Sequence, residues 1–309
     1  MSEFQYYEFQ AVDRPLTPDQ MAELRAISTR ARISPTQFVN VYSYGDFKGD
    51  PLQLMGQYFD AFVYIANWGT HRFMLRLPRS LLDLTMARAY AIDDSLQFRG
   101  SDDVVIVEFM SDGDNGTLWI TDDEAASWMP SLLGVRDELA SGDLRALYLG
   151  WLAGMQSEML DDDEFEPSVP PGLRHLSSSL KSLTEFLRIG DDLLTVAAAR
   201  SPDRPHAPTA GEIERWISEL PMPEKDALLI RWIKGGDVHL RAEVQRRFRD
   251  AFTPPPSAQT GRRTVAELLL AVRAQADARH RREAERAEAE GVRRERERAD
   301  LAGGGASEG

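Results

Sequence analysis

Residues 144–160, LRALYLGWLAGMQSEML, organise the chain. Apolar residues recur there at the i, i+3, i+4, i+7 spacing of one helix face: Leu144, Leu147, Tyr148, Trp151, Leu152, Met155 and Met159. The opposite side is apolar or small enough for close backbone approach: Leu149, Gly150, Ala153 and Gly154. Because a helix that is apolar on most of its circumference is usually buried, we predict a buried hub helix on which two halves of the chain pack, with Asp143 capping its start.

The part of the chain before the hub helix mixes strand and helix patterns. Strands are predicted at Phe4–Val12, Phe38–Tyr44, Ala61–Trp68, Arg72–Leu77, Val104–Met110 and Thr117–Thr121. Helices are predicted after the capping box at Thr17, after Asp50-Pro51 and after Ser80. The order β-α-β-α-β-β-α-β-β lacks the strict alternation of a doubly wound sheet, so it favours an α+β fold with a mixed or mainly antiparallel sheet. The alternation in Arg72–Leu77 predicts a half-exposed strand.

Only helical patterns follow the first sheet, and they suggest three regions. These are an α+β domain at 1–124, a helical region at 125–253 packed through the hub helix, and a C-terminal region at 254–309. The last contains a proline-rich linker, a charged helix at Arg262–Leu301 and a flexible tail. Beyond Val272 the inward positions of this helix are mostly alanine, whereas a coiled coil needs large apolar residues there. A coiled coil and a solvated single helix both stay open, and Gly291 is predicted to interrupt the helix.

Composition bounds the chemistry and the compartment. The 309 residues include no cysteine, which excludes disulfides, thiolate metal sites and a cysteine nucleophile, and suits a reducing cytoplasm. The N-terminal stretch has no basic region followed by an apolar core, as a signal peptide would. No run approaches the roughly 20 apolar residues of a membrane helix. We therefore expect a cytoplasmic protein without membrane contact and without a cofactor.

The negative charge lies in the middle third. Residues 101–200 contain 6 basic and 20 acidic residues, a net charge of −14 that equals the net charge of the whole chain. Such a field repels nucleic acid and anionic membranes and can steer a basic partner. The most basic folded region, Glu224–Asp250, has interleaved acids and no nucleic-acid motif, so a solvated helix face is favoured there. We expect a protein partner, bound through the acidic middle third or the C-terminal helix, and no nucleic acid.

One weak catalytic candidate is the glycine-containing loop that carries Asp46, Lys48 and Asp50. Loops between a strand and a helix often hold functional groups. This loop does not match a phosphate-binding loop, which needs Gly, four residues and then Gly-Lys-Ser/Thr. A solvated turn with a helix cap is the favoured interpretation.

A weak metal candidate lies near residue 112. Asp112, Asp114 and Asp123 match the first, third and twelfth positions of a calcium loop. However, the sixth position is Thr117 instead of glycine, and strands rather than helices are predicted on both sides. No metal site is therefore predicted.

The remaining residue types also favour a non-catalytic role. No two histidines have the spacing of a helical zinc motif, and no Gly-x-Ser-x-Gly elbow is present. His71, in a predicted hairpin turn, is expected to be exposed. We predict a cytoplasmic interaction or accessory protein. The alternative is a metal-assisted hydrolase, which requires four loop carboxylates to converge in one pocket: Asp46, Asp50, Asp112 and Asp114.

Three runs resemble a family of uncharacterised bacterial proteins: WGTHRFMLRLP at 68–78, GDLRALYLGWL at 142–152 and PPGL at 170–173. The resemblance covers about residues 1–250. The family has no established activity, so the resemblance implies no catalytic or binding residue. It implies a bacterial cytosolic protein whose C-terminal helix is a variable appendage.

Overall fold

A computed structural model describes residues 3–113, 120–204, 208–252 and 263–304, with side chains up to residue 294. The strands are β1 Gln5–Gln10, β2 Arg32–Ile33, β3 Gln37–Tyr42, β4 Ala61–Ala66, β5 Thr70–Pro78, β6 Leu96–Gly100 and β7 Val104–Asp112. The helices are α1 Pro18–Ile27, α2 Pro51–Gln57, α3 Leu84–Ala87, α4 Asp122–Leu132, α5 Gly134–Ala140, α6 Arg145–Gln156, α7 Ser178–Phe186, α8 Asp191–Arg200, α9 Ala210–Glu219, α10 Met222–Lys234, α11 Leu240–Phe252 and α12 Val265–Gly304. The predicted α+β class is confirmed.

The strands form one antiparallel sheet in the order β2-β3-β1-β4-β5-β7-β6. The predicted β4–β5 hairpin is confirmed, and Gly69 takes a φ of +109° in its turn. The last hairpin differs from the prediction, because β7 pairs with the preceding strand β6. Thr121 belongs to no strand but caps α4 through a capping box with Glu124, and residues 114–119 lie outside the described residues.

Helices cover both faces of the sheet, so the predicted half-exposed character of β5 is wrong. Helices α1 and α2 bury one face, and Met74 of β5 is fully buried beneath them. Helices α4–α8 bury the other face. Arg72 and Arg76, on the same side as Met74, pair with the buried carboxylates of Glu108 and Asp60. Polar alternation here therefore reflects pairing of partly buried arginines with buried carboxylates.

The hub helix is confirmed as α6, and it is buried on every side from Arg145 to Met155. It packs on the sheet, where Gly150 lies against Phe109. Asp143 does not act as the predicted cap, since Leu144 occupies that position. The Asp143 carboxylate instead accepts hydrogen bonds from the backbone N–H and the guanidinium of Arg145. One apolar cluster joins the sheet to helices on both sides of residue 124, so the core has no gap at the predicted domain boundary.

The long helix α12 is held at its start by the acidic connection Asp161–Glu166. The Val265 and Ala266 backbone N–H groups donate to the carbonyls of Glu164 and Asp162. Acidic residues are favourable at this end of a helix because its free N–H groups carry partial positive charge. The helix continues through Gly291, which corrects the predicted interruption, and its described side chains beyond Glu283 are exposed. The coiled-coil alternative stays a prediction.

Among the described helices, none combines the length and the apolar composition that crossing a bilayer requires.

Candidate interaction surface

Helix α10 directs its large apolar side chains toward solvent. The exposed ones are Met222, Leu229, Ile230, Trp232 and Ile233, and no residue of α10 is buried. Trp232 is 74% exposed and Ile233 is 70% exposed. At 3.6 residues per turn, the five side chains fall within an arc of roughly 160°. Single exposed apolar residues are ordinary, whereas a contiguous group marks an interaction site. We call these five residues the α10 face.

The α10 face is positioned by helix α11, which lies between α10 and the body of the protein. Leu240 of α11 is buried, and the Arg246 guanidinium donates to the Ser80 carbonyl oxygen. On α9, the Trp216 ring packs edge-on against Phe248 of α11, with ring centroids 5.5 Å apart. Helices α9 and α10 therefore form an outer layer over α11.

One charged residue of α10, Arg231, is directed toward α11. The Arg231 guanidinium donates to the Asp237 carboxylate at 2.6 and 2.8 Å and to the Glu243 carboxylate at 2.7 Å. These hydrogen bonds, with Glu243 first, raise the pKa of Arg231, and they lower the pKa of both carboxyls. A surface helix usually buries its apolar side and hydrates its polar side. Helix α10 departs from this rule, because Arg231 is directed toward α11 while the apolar face lies in water.

The loop candidates Asp46, Lys48 and Asp50 are all exposed. The Asp50 carboxylate accepts from the backbone N–H groups of Leu52 and Gln53 at 2.8 and 3.3 Å and so caps α2. Asp46 Oδ1 lies 3.4 Å from the Gln5 amide nitrogen. The favoured interpretation of this loop as a turn with a helix cap agrees with this geometry.

The structure separates Asp46 from Asp112. Asp112 is exposed at the end of β7, while Asp46 follows β3, and three strands lie between β3 and β7. At about 4.8 Å per strand this separation is about 19 Å. Asp114 lies outside the described residues. Within the described ranges no group of three or more His, Asp or Glu side chains could hold a metal ion.

His71 was predicted to be exposed, but it is buried. It is 7% exposed, and its Nδ1 lies 2.9 Å from the Phe186 carbonyl oxygen at the end of α7. Burial lowers the pKa of His71 to about 4. Since a carbonyl only accepts, Nδ1 carries the proton and the ring is neutral. The hairpin pattern could not reveal that α7 covers this end of the sheet.

The α10 face was missed by the sequence reasoning, which considered the charges of Glu224–Asp250 and not its apolar residues. A usable signal was present: Leu228, Leu229 and Ile230 are consecutive and so occupy more than one side of a helix. A helix with apolar residues on two sides needs a second contact surface.

No family model, curated protein or solved structure matches the chain, so the α10 face is interpreted from its own geometry.

Proposed function

We propose that this protein is a non-catalytic cytoplasmic interaction protein that binds another protein chain through the α10 face. The observation that carries the proposal is the orientation of α10, with five large apolar side chains in water and Arg231 turned inward. Burying such side chains contributes about 25 cal/mol per Å² of apolar surface. Tryptophan is also among the residues that most often dominate binding energy at interfaces.

The charge around the α10 face supports a protein partner over nucleic acid. The helix carries Glu224 and Asp226 as well as Lys225 and Lys234, so it has no basic excess at its outer rim. The chain as a whole has a net charge of −14. Binding to a phosphate backbone depends on lysine and arginine that neutralise phosphates.

The acidic middle third, residues 101–200, is a weaker candidate for the partner-binding surface than its composition suggested. Part of its charge is used within the chain: the Glu166 carboxylate pairs with Arg263 at the start of α12 at 2.7 Å, and Asp192 pairs with Arg279 of α12 at 3.0 Å. These acids attach the C-terminal helix to the body. The α10 face therefore replaces the acidic third as the proposed contact.

The test is affinity capture from the native host with the full chain, followed by mass spectrometry. Ile233→Asp places a charge in the α10 face, and Leu270→Asp is the matched control because Leu270 is also exposed on a helix. Proteins retained by the wild type and the control, and lost with Ile233→Asp, are the expected result. Equal retention by all three chains would overturn the proposal. Thermal unfolding of each variant checks that the fold is intact.

A further inference from the structure

We infer that the chain bound at the α10 face is a second copy of this protein, with the two α10 helices antiparallel about a two-fold axis near Ile230. This inference rests on the proposed function, since it names the partner of the same surface. The charged residues of α10 carry the inference. The apolar side chains alone would fit many protein partners, whereas the positions of these charges favour a second copy.

Three of the five charged residues of α10 are engaged within the protomer. Glu224 lies 3.7 Å from Arg247, the Lys225 ammonium donates to the Ser218 carbonyl at 3.1 Å, and Arg231 binds Asp237 and Glu243. The other two are Asp226 and Lys234. Both are exposed, and neither forms an ion pair with any residue that the structure describes. The outer surface of α10 thus presents one free carboxylate and one free ammonium group.

Asp226, Ile230 and Lys234 follow one another at i, i+4 and i+8, so they form a single ridge along the outer surface of α10. The two opposite charges are equally distant from Ile230 in sequence. When two such ridges pack side by side and antiparallel, at the helix crossing of about 50° that i±4 ridges favour, each Asp226 meets Lys234 of the other copy. Both ion pairs form at once around a central Ile230 contact.

This self-complementarity is what a two-fold contact requires, because the same patch must serve as both partners. A purely acidic or purely basic partner would satisfy only one end of the ridge. The apolar residues beside the ridge, Leu229 and Ile233, lose water in the same contact. A contact built mainly on one 13-residue helix is at the small end of specific interfaces, so we expect a reversible dimer that depends on concentration.

The experiment is sedimentation velocity of the purified full chain over a wide concentration range, with no other protein present. Asp226→Lys and Lys234→Asp each place two like-charge contacts across the axis, so each is expected to raise the dimer Kd roughly tenfold. Ile230→Asp puts two carboxylates at the centre and is expected to abolish the dimer. Glu288→Lys, an exposed charge reversal on α12, is the control and should leave the dimer Kd unchanged.

Mixing the two single charge variants gives the decisive result. One variant carries only ammonium groups on the ridge and the other carries only carboxylates, so each self-pair is repelled and the mixed pair is complementary. We expect a mixed dimer that is tighter than either self-dimer. The double variant D226K/K234D restores both ion pairs within one chain and should dimerise like the wild type.

Other outcomes separate this inference from the proposed function. A chain that is monomeric throughout overturns the inference, and if Ile233→Asp still abolishes capture of a different protein, the proposed function stands. A monomeric chain whose capture is also unaffected overturns both. A dimer lost with Ile230→Asp, but not restored by mixing the charge variants, overturns the antiparallel arrangement.

Discussion

Arg263 and Glu166 form a buried, bidentate ion pair that joins the start of the C-terminal helix to the body of the protein. Arg263 Nε and Nη2 donate to the two carboxylate oxygens of Glu166 at 2.9 and 2.7 Å. Tyr148, in the hub helix, donates to the same carboxylate at 2.5 Å. The buried hub helix α6 is thus connected directly to the C-terminal helix α12, whose apolar pattern is weak.

Arg263→Met removes the guanidinium from this cluster and leaves the buried Glu166 carboxylate without its arginine. Losing one side of a buried ion pair typically costs about 3–5 kcal/mol, so we expect the free energy of unfolding in urea to fall by about 3 kcal/mol. Amide exchange at the start of α12 should also accelerate. Arg294→Met is the control, because the Arg294–Glu290 pair is exposed and such pairs contribute less than about 1 kcal/mol. Equal losses in both variants would contradict the role of Glu166.

His71 predicts a pH dependence of stability. Its pKa is lowered by burial to about 4 in the folded protein, from an ordinary value of 6.5. Between these values the unfolded chain binds the proton and the folded chain does not, so acidification favours unfolding. The contribution of His71 is therefore fully present above about pH 6.5 and is lost as the pH falls to about 4, by roughly 3 kcal/mol in total.

The measurement is the free energy of unfolding against pH for the wild type and His71→Gln. The variant should show a shallower fall in this window, and the difference between the two proteins should be constant above pH 7. An NMR titration that shows the ring of His71 gaining its proton near pH 6.5 would contradict the buried neutral state.

Gly154 predicts an unusual response to alanine. A Cβ atom there would lie 2.7 Å from Ile92 Cδ1 and 2.9 Å from Ser95 Cβ. Alanine normally improves a helix interior by about 1 kcal/mol over glycine, but overpacking costs typically 1–3 kcal/mol. We expect Gly154→Ala to lower the thermal midpoint. Gly291→Ala has open space at its Cβ position, so it should raise the helical circular dichroism signal of α12. A stabilising Gly154→Ala would show that α6 is less tightly packed.

Two tryptophans of the outer layer should behave oppositely. Trp216 is 8% exposed and packs on Phe248, so Trp216→Ala is expected to cost about 3 kcal/mol of folding free energy. Trp232 is exposed on the α10 face, so Trp232→Ala should change folding stability by less than about 0.5 kcal/mol. Urea unfolding of the two variants measures both effects. A large loss of folding stability in Trp232→Ala would mean that the side chain is buried within the protomer.

Local chemistry made several elements predictable. Thr17 with Gln20 forms the capping box that its spacing indicated, because a capping box is complete within four residues. Gly235 ends α10 with a φ of +66°, a conformation that favours glycine. The hub helix was predictable because apolar residues all around a helix are compatible only with burial.

Other features depended on contacts between distant segments. Short strands such as β2 and β6 carry too few residues for a clear alternation, and they are defined by their partners β3 and β7. Only the docking of α12 shows that the acidic connection Asp161–Glu166 holds a helix terminus. The weak catalytic and metal candidates were chosen by residue type and spacing alone, which say nothing about distance across a sheet.

The sequence by itself therefore determined the fold class, the hub helix, the capping box at Thr17 and the absence of cysteine chemistry, since each depends on neighbouring residues or on composition. Only the tertiary structure decided that His71 is buried, that Arg72 and Arg76 meet buried carboxylates, and that α10 turns its apolar face outward. A hydrophobic pattern gives the relative directions of side chains around a helix. Which direction faces the protein depends on what packs beside that helix, and for α10 this is the ion cluster of Arg231, Asp237 and Glu243.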